Sequence, residues 1–250
     1  MMKKIIALNL VLVLGLTLLC GCEGGNTAST ETPVEETTVP ATEVQADYKE
    51  VYAEILDRYY GIITSEEDTM LIGEGNTGVY EAIAELDKET ALGVVGYTFK
   101  DLTGDGFAEL IVGAVADNED SWYKTSEIFA VYTIAHNMPF MIAEGRARSS
   151  YHLLEDGTFF YEGSGGAAYS GVGSFRVSQG GTSLICNDFY FTETDKADPN
   201  VVTIYHNTTG KWDVEKAEKT ELTANDFSDI RKGYSEKAVT LELTPFSQYK

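Results

Sequence analysis

The stretch VVGYTFKDLTGDGFAELIVGAV, residues 94–115, holds two β-rich runs on either side of an acidic loop. The first run contains valine, tyrosine and phenylalanine, and the second contains valine and isoleucine; all of these residues favour strands. The ten residues from Asp101 to Leu110 contain three acidic residues and two glycines, a composition that favours a tight connection. The pattern therefore predicts a strand, a curled acidic loop and a second strand.

Further β-rich runs follow, separated by turn signals. Residues 127–145 have the pattern of one hairpin, and Asp156-Gly157 marks the turn of the next, since Asp-Gly is a strong hairpin signal. Gly180-Gly181 divides a third pair of runs, and Gly210 marks the turn of a fourth. The period-two alternation over residues 238–246 predicts a closing strand.

The flanks of this β-rich region show helical spacing instead. Apolar residues recur every three or four positions over residues 46–63 and again over 76–92, which predicts two N-terminal helices. Thr223 followed by Asp226 has the spacing of a capping box and predicts the start of a C-terminal helix. We therefore expect residues 46–250 to form a single α+β domain with a mainly antiparallel β-sheet.

The N-terminus has the features of an export signal. A basic start precedes an apolar run over residues 5–19, which is too short and too early for a usual membrane span. The LCGC motif that follows resembles a bacterial lipobox, with the small Gly21 directly before Cys22. The resemblance implies that residues 1–21 are removed and that Cys22 receives a diacylglycerol. A plain secretory signal or an uncleaved N-terminal anchor is the alternative.

Residues 22–45 are rich in Thr, Glu and Pro and contain no aromatic residue, so we expect a disordered tether. The diacylglycerol would then hold the domain at the extracytoplasmic face of the bacterial cell membrane. The net charge of −22 argues against nucleic acid as a partner, because an acidic chain repels phosphates. Removal of the signal and acylation of Cys22 would leave Cys186 alone, so the mature chain has no internal disulfide.

The acidic loop offers oxygen atoms at alternate positions. Calcium takes about six to eight hard oxygen ligands, which a tight loop can turn toward one centre. The loop is not an EF-hand, because the twelfth position from Asp101 is Val112 rather than glutamate. The alternative is a hairpin turn stabilised by its own aspartates. The candidate calcium ligands are the carboxylates of Asp101, Asp105 and Glu109, the hydroxyl of Thr103 and the backbone carbonyl of Phe107.

The same loop resembles the calcium loop of integrin-type FG-GAP repeats, in which a strand–loop–strand unit carries the ion. It departs from that pattern at Thr103 and Glu109, although both residues keep a side-chain oxygen. The chain holds no second copy, so the resemblance does not extend to a propeller fold or to adhesion. The positions that match are Asp101, Gly104, Asp105, Gly106 and Leu110.

Other catalytic signals are weak. His136, His152 and His206 do not have a metal-ligand spacing, and each is expected to be a separate surface or hydrogen-bonded histidine. The glycine-rich residues 163–171 lack the G-x-S-x-G pattern of a nucleophile elbow and indicate a bulged, close-packed strand or a binding loop. The sequence therefore names no catalytic residue, and we lean away from an enzyme.

Aromatic residues make up 11% of the chain and include 15 tyrosines. Extracellular sugar-binding proteins stack such rings on pyranose rings, which makes an exposed aromatic residue a candidate for ligand binding. Ordinary packing in the core or on a sheet face is the alternative. The candidates are Trp122, Tyr123, Tyr169 and Trp212.

Taken together, the lipobox, the tether and the single acidic loop resemble secreted lipoproteins of Gram-positive, clostridia-like bacteria. We predict a lipid-anchored, calcium-stabilised extracellular module that binds a glycan, peptide or protein. The alternative is an extracellular hydrolase of cell-wall or dietary polymers, which needs two carboxyl groups across a cleft. A solute-binding component of a transporter is less favoured, because those proteins have two α/β lobes and this chain is short and β-rich.

Overall fold

The computed structural model describes residues 47–65, 75–117, 122–195, 198 and 200–250. They belong to one unit, Gln45–Lys250, in which helices pack on an antiparallel sheet. The predicted α+β class with a mainly antiparallel sheet is confirmed. The predicted signal (1–21), Cys22 and the tether lie outside the described residues.

The described ranges contain an 11-stranded sheet. Its strands are β1 (Val95–Lys100), β2 (Glu109–Ala114), β3 (Ile128–Ala135), β4 (Met138–Glu144), β5 (Ser149–Leu153), β6 (Phe159–Gly166), β7 (Tyr169–Val177), β8 (Leu184–Thr194), β9 (Val202–Asn207), β10 (Glu218–Lys219) and β11 (Thr244–Pro245). The sheet order is β10-β9-β8-β7-β6-β5-β3-β2-β1-β11, and β4 pairs with β3. Each pairing between the described strands is antiparallel, and neighbours in sequence are mostly neighbours in the sheet.

The helical residues before β1 are divided among four segments, where the sequence predicted two. Tyr52, with φ −102° and ψ 15°, separates the first two segments. Asp87 starts the fourth, because its carboxylate accepts the N–H groups of Glu89 and Thr90 and so favours a new helix start. The helices are α1 (Tyr48–Val51), α2 (Ala53–Thr64), α3 (Thr77–Ile83), α4 (Lys88–Val94) and α5 (Ala224–Ser235), with 3₁₀ turns at Val214–Lys216 and Phe246–Gln248.

The start of the C-terminal helix is as predicted. The Thr223 hydroxyl accepts the N–H of Asp226, and the Asp226 carboxylate accepts the N–H of Thr223, which forms a complete capping box. Three apolar residues of α5, Phe227, Ile230 and Tyr234, then pack on a small cluster of the sheet. This helix is therefore fixed by its cap at one end and by its apolar face along its length.

The closing strand predicted over residues 238–246 was wrong except at its end. In this stretch, Thr244–Pro245 forms β11 on the outer edge of β1. Before it, the Val239 N–H donates to the Leu153 carbonyl and the Leu241 N–H donates to the Ser126 hydroxyl. The backbone N–H groups of Val239 and Leu241 thus bond to different parts of the chain and not to one strand. The period-two alternation of apolar residues arises because Val239 and Leu241 both pack on a core cluster.

The hairpin predicted around Gly210 is also different. Gly210 has φ +68°, as a turn requires, but β9 pairs with the two residues of β10 that come after Val214–Lys216. The Asn207 side chain holds the intervening chain, accepting the N–H of Gly210 and donating to the Lys211 carbonyl. The connection is therefore a loop folded back on the sheet rather than a short hairpin turn.

The sheet is strongly curled. Ile111 of β2 and Val177 of β7 belong to one buried cluster although three strands lie between them in the sheet order. At the β7–β8 turn, a Cβ placed on Gly181 would lie 2.9 Å from the Thr133 hydroxyl of β3. The curl of the sheet therefore brings β7 and the β7–β8 turn close to β2 and β3.

A second cluster lies between the N-terminal helices and strands β1–β3, and it is rich in aromatic rings. Phe246, from the last turn of the chain, is fully buried there, with its ring centroid 5.2 Å from that of Tyr97 and 6.3 Å from that of Tyr59. Aromatic pairs at these distances are favourable beyond their burial. The C-terminal residues thus complete the core that the N-terminal helices begin.

We expect Phe246→Ala to lower the free energy of unfolding by about 3–5 kcal/mol, because it leaves a cavity among buried rings. Phe107→Ala is the matched control, since that side chain is 62% exposed and its loss should change stability by about 0.5 kcal/mol or less. Urea unfolding of the full chain measures both. Equal effects of the two substitutions would contradict the assigned core.

Candidate functional site

The acidic loop joins β1 to β2, whose last pair is Lys100 opposite Glu109. Both oxygens of Asp101 accept backbone N–H groups, from Gly104 at 2.6 Å and from Gly106 at 2.9 Å. The two glycines have φ +77° and +88°, conformations that other residues rarely adopt. Slight burial acts to raise the pKa of Asp101, but these N–H groups outweigh it and hold the pKa below its ordinary value.

Three other predicted ligands have different environments. Asp105 accepts the N–H of Phe107 at 2.8 Å, and its own N–H lies 3.4 Å from the Thr103 hydroxyl. Thr103, Asp105 and Phe107 are partly or largely exposed, and the Phe107 side chain points into solvent. The outer part of the loop is therefore a series of short side-chain-to-backbone turns.

Glu109 turns inward under the loop. It is 2% exposed, and its carboxylate accepts the Leu102 N–H at 2.8 Å and the Thr133 hydroxyl at 3.3 Å. Burial raises the pKa of Glu109, although these two donors oppose the shift. Glu109 therefore links the loop to β3.

The five predicted ligands supply oxygen alone, which is the donor chemistry that calcium requires. Asp101 and Asp105 lie on the outer side of the loop, whereas Glu109 lies beneath it. Among the residues that the structure describes, no group of three or more His, Cys, Asp or Glu side chains is placed to hold a metal ion. The donor set thus suits calcium, while the placement of the three acids does not gather them.

Two tyrosines tie the loop to the helical layer. The Tyr48 hydroxyl donates to the Gly106 carbonyl at 3.1 Å, and the Tyr52 hydroxyl donates to the Ala108 carbonyl at 3.0 Å. Tyr52 is fully buried, and this burial raises the pKa of its phenol well above the ordinary range. The nearby charge of Glu109 adds a smaller upward shift. The Tyr52 phenol therefore stays protonated, and both hydroxyls keep the loop backbone in place.

A cleft of about 290 Å³, here called the aromatic cleft, opens beside this loop. The Tyr48 and Phe99 ring centroids are 5.7 Å apart, as are those of Tyr97 and Phe99, and the Lys49 ammonium lies 5.8 Å from the Tyr97 ring. It combines an apolar wall with a few polar groups, as small-molecule sites do. Its lining residues are Tyr48, Lys49, Tyr97, Thr98, Phe99, Ala108 and Thr244.

A second cleft of about 380 Å³, here called the polar cleft, lies on another side of the loop. The curl of the sheet forms it by placing Leu102 and Thr103 near the β5–β6 turn and the end of β7. Arg176 is exposed there and makes no ion pair with any residue in the described ranges. Asp156 lines the same cleft, so the polar cleft carries both a positive and a negative side chain.

Two of the aromatic ligand candidates lie in the core region. Tyr123 is fully buried and its ring packs edge-on against Phe129, with centroids 5.6 Å apart. Trp122 is half-buried and contacts the same phenylalanine at 5.8 Å. Tyr123 therefore packs in the core, which is the alternative for these aromatic residues, because the residues before β3 fold back onto the face of that strand that carries Phe129.

Tyr169 and Trp212 are the exposed members of that set, at 36% and 39%. The Trp212 ring packs on Phe189 and over Gly171, where a Cβ would lie 2.5 Å from the indole. Tyr169 makes a hydrogen bond with the Thr194 hydroxyl at 3.1 Å. Neither residue lines the aromatic cleft, and Trp212 covers part of the sheet.

The aromatic cleft was not predicted from the sequence. Tyr48 belongs to the helical repeat over residues 46–63, which predicts a helix. Tyr97 and Phe99 belong to a β-rich run, which predicts a strand. Their period-two spacing directly before the acidic loop is a signal that could have placed both rings on one face of the strand. Nothing local links them to Tyr48, which comes from a separate element.

A group of polar side chains involves β3, β5, β6 and α5. Glu127, just before β3, is 5% exposed and accepts the Lys124 N–H at 3.1 Å; burial raises its pKa from the ordinary 4.5 to about 7. The charge of Glu162 adds to this shift. Both Glu162 oxygens are held by Arg231, at 2.8 Å and 2.5 Å.

The remaining histidine and cysteine candidates are structural. The His206 ring makes a hydrogen bond with the Asp188 carboxylate, whose other oxygen accepts the Tyr234 hydroxyl at 3.4 Å. Burial raises the pKa of the Cys186 thiol to about 11, which keeps it protonated at neutral pH.

No protein-family model matches the chain, and searches of curated proteins and of solved structures gave no match. Within the described ranges, every helix is too short or too polar to span a bilayer. The features of this protein that bear on function are therefore the two clefts, the acidic loop and the polar group around Glu127.

We expect the buried Glu127 carboxyl to make stability depend on pH. Its pKa is higher in the folded chain, so the folded state binds this proton more tightly between about pH 4.5 and pH 7. The resulting stabilisation is complete below that window and is lost as the pH rises through 7. The free energy of unfolding should therefore fall across the window by an amount on the order of 2–3 kcal/mol from this group.

Urea unfolding of the full chain at pH 5 and pH 8 measures this effect. The fall should be smaller in Glu127→Gln than in the unsubstituted protein. Glu221→Gln, at an exposed position, is the control and should leave the fall unchanged. An identical pH dependence in all three proteins would mean that Glu127 titrates normally.

Proposed function

We propose that this protein is a lipid-anchored extracytoplasmic module that binds a ligand in the aromatic cleft and is stabilised by calcium at the acidic loop. The observation that carries the proposal is the position of the aromatic cleft directly against that loop. The cleft has the mixture of rings and a few polar groups expected of a binding site. Among the described residues that line it, none is a histidine, cysteine, aspartate or glutamate.

The loop and the cleft share residues, which supports a joint role. Ala108 belongs to the loop and also lines the cleft. Tyr48 contributes a ring to the wall, while its hydroxyl holds the Gly106 carbonyl of the loop. Whatever fixes the loop backbone therefore also fixes one wall of the cleft.

Calcium would act as a structural staple in this proposal. The residues that would hold it are Asp101, Thr103, Asp105, Phe107 through its carbonyl, and Glu109. A bound divalent cation supplies a fixed positive charge that draws loop oxygens together. The chain's own contribution is to preset the loop through the Asp101 turns and the tyrosine hydroxyls.

The anchor explains how such a module is displayed. A diacylglycerol on Cys22 buries two acyl chains at about 0.8 kcal/mol per CH₂, which suffices for stable attachment. A flexible tether of residues 22–45 would span roughly 25–30 Å. The net charge of −22 keeps the module from binding nucleic acid or anionic lipid through a general field.

The alternative function, a polymer hydrolase, is favoured by the pair Glu127 and Glu162. The Glu127 carboxyl has a raised pKa, as a general acid requires, and the Glu162 carboxylate forms an ion pair with Arg231. Against it, Glu127 is 5% exposed and Arg231 occupies both oxygens of Glu162. Release of reducing ends from a polysaccharide, abolished by Glu127→Gln, would favour the hydrolase over the binding module.

Calcium binding at the loop should raise the melting temperature. At a calcium concentration about 100 times Kd, the gain is about 2.7 kcal/mol, or about 5–10 °C for a domain of this size. Thermal unfolding of the full chain with calcium and with chelator measures it. Asp105→Ala should abolish the difference.

Asp156→Ala is the matched control for that experiment. Asp156 also stabilises a turn, through the Thr158 N–H at 2.9 Å, but it lies outside the acidic loop. This variant should lower the melting temperature and keep its calcium dependence. A melting temperature that ignores calcium in the unsubstituted protein would show that the loop is a turn without an ion.

Acylation of Cys22 should place the protein in the detergent phase when membranes are partitioned with Triton X-114. Cys22→Ala should move the folded domain to the aqueous phase or leave an unprocessed precursor of higher mass. Cys20→Ala, two residues away, is the control and should partition normally. Unchanged processing and partition of Cys22→Ala would favour the plain secretory signal or the uncleaved anchor.

A further inference from the structure

We propose that the aromatic cleft binds a single pyranose ring of a neutral glycan, an inference that rests on the proposed binding function and names its ligand class. The geometry of the rings, the polar groups at their edges, the size of the cleft and the charge of the chain each point to this class. None of the four aromatic residues singled out in the sequence takes part.

The rings provide an apolar wall of the kind that packs against sugar C–H groups. Tyr48 and Phe99 are half-buried, and their planes differ by 32° with centroids 5.7 Å apart. Tyr97 meets Phe99 nearly edge-on, at 64°. A pyranose ring has an apolar face of C–H groups, and that face gains dispersion and hydrophobic contact on such a surface.

Polar groups lie at the edges of this wall. The Lys49 ammonium sits 5.8 Å from the Tyr97 ring centroid, and Thr98 and Thr244 are half-buried lining residues. The buried Tyr97 hydroxyl has no hydrogen-bond partner in the part of the chain that the structure describes. A ring bearing several hydroxyl groups can bond to an ammonium and to threonine hydroxyls.

The volume of the cleft and the net charge of the chain further limit the class of ligand. A volume of about 290 Å³ lies just below the range of about 300–1,000 Å³ for small-molecule sites, which suits one ring rather than an extended chain. Lys49 is the charged residue among the seven that line the cleft, in a chain of net charge −22. That field opposes an anionic polymer, so a neutral sugar fits better than a charged one.

A peptide with a proline or aromatic side chain is the competing ligand, because aromatic grooves also bind polyproline segments. Such recognition uses an elongated groove that contacts several residues of the peptide. The seven lining residues here surround a compact space, which favours the sugar. The experiment below therefore includes a peptide probe.

The full chain is purified in a detergent without a sugar headgroup and titrated calorimetrically with maltotriose, cellotriose and N,N′,N″-triacetylchitotriose. Saturable binding of at least one trisaccharide is expected. Tyr48→Leu should weaken it about fivefold, as the loss of one ring contact predicts. Lys49→Ala should weaken it as well.

Two matched controls separate the ring from other effects. Tyr48→Phe keeps the ring and removes only the hydroxyl that holds Gly106, so any loss of sugar affinity should be smaller than in Tyr48→Leu. Val51→Ala alters a 45% exposed position of the same helix outside the cleft and should have no effect. A loss in Tyr48→Phe equal to that in Tyr48→Leu would overturn ring stacking as the cause.

The remaining outcomes separate this inference from the proposed function. Binding of a decaproline peptide that is lost in Tyr48→Leu, without binding of any trisaccharide, would overturn the sugar class and leave the binding function in place. Sugar binding that neither Tyr48→Leu nor Lys49→Ala weakens would overturn the aromatic cleft as its site. Absence of binding by every probe would overturn both the sugar class and the aromatic cleft as a ligand site.

Discussion

Burial of Tyr52 between the helices and the first strands is the contact on which much of this structure depends. Its ring is fully buried and lies 5.9 Å from that of Phe99, while its hydroxyl holds the Ala108 carbonyl at the end of the acidic loop. The residue also marks the break between α1 and α2. One side chain thereby sets the path of the helices, fills the core and positions the loop that borders both clefts.

Two buried acids show a further constraint. Glu109 and Glu127 are 2% and 5% exposed, and both have raised pKa values because burial disfavours the charged form. Each is held by a backbone N–H, from Leu102 and Lys124 respectively, and neither forms an ion pair within the described ranges. A strongly acidic chain thus keeps carboxyls in its interior by means of backbone donors.

The sequence predicts local features of this fold well because turn and cap chemistry is local. Asp156-Gly157 and Gly181 have the positive-φ glycines that hairpin turns use, and Thr223 forms the predicted capping box. The prediction of a closing strand was wrong because the curl of the sheet buries Val239 and Leu241 on one face without pairing them with a strand. The aromatic cleft could not be predicted in full because Tyr48 reaches it through tertiary packing.

The contacts at the end of the chain imply an order of assembly. Tyr249 and Lys250 each reach Asp57 of α2 at 2.7 Å, across a sequence separation of 192 residues for the tyrosine, and β11 completes the edge of β1. Such distant pairings are slow to form because they close a very long loop. A nascent chain from which residues 244–250 have not yet emerged lacks the contacts that close the first core, so this core cannot close before these residues are available.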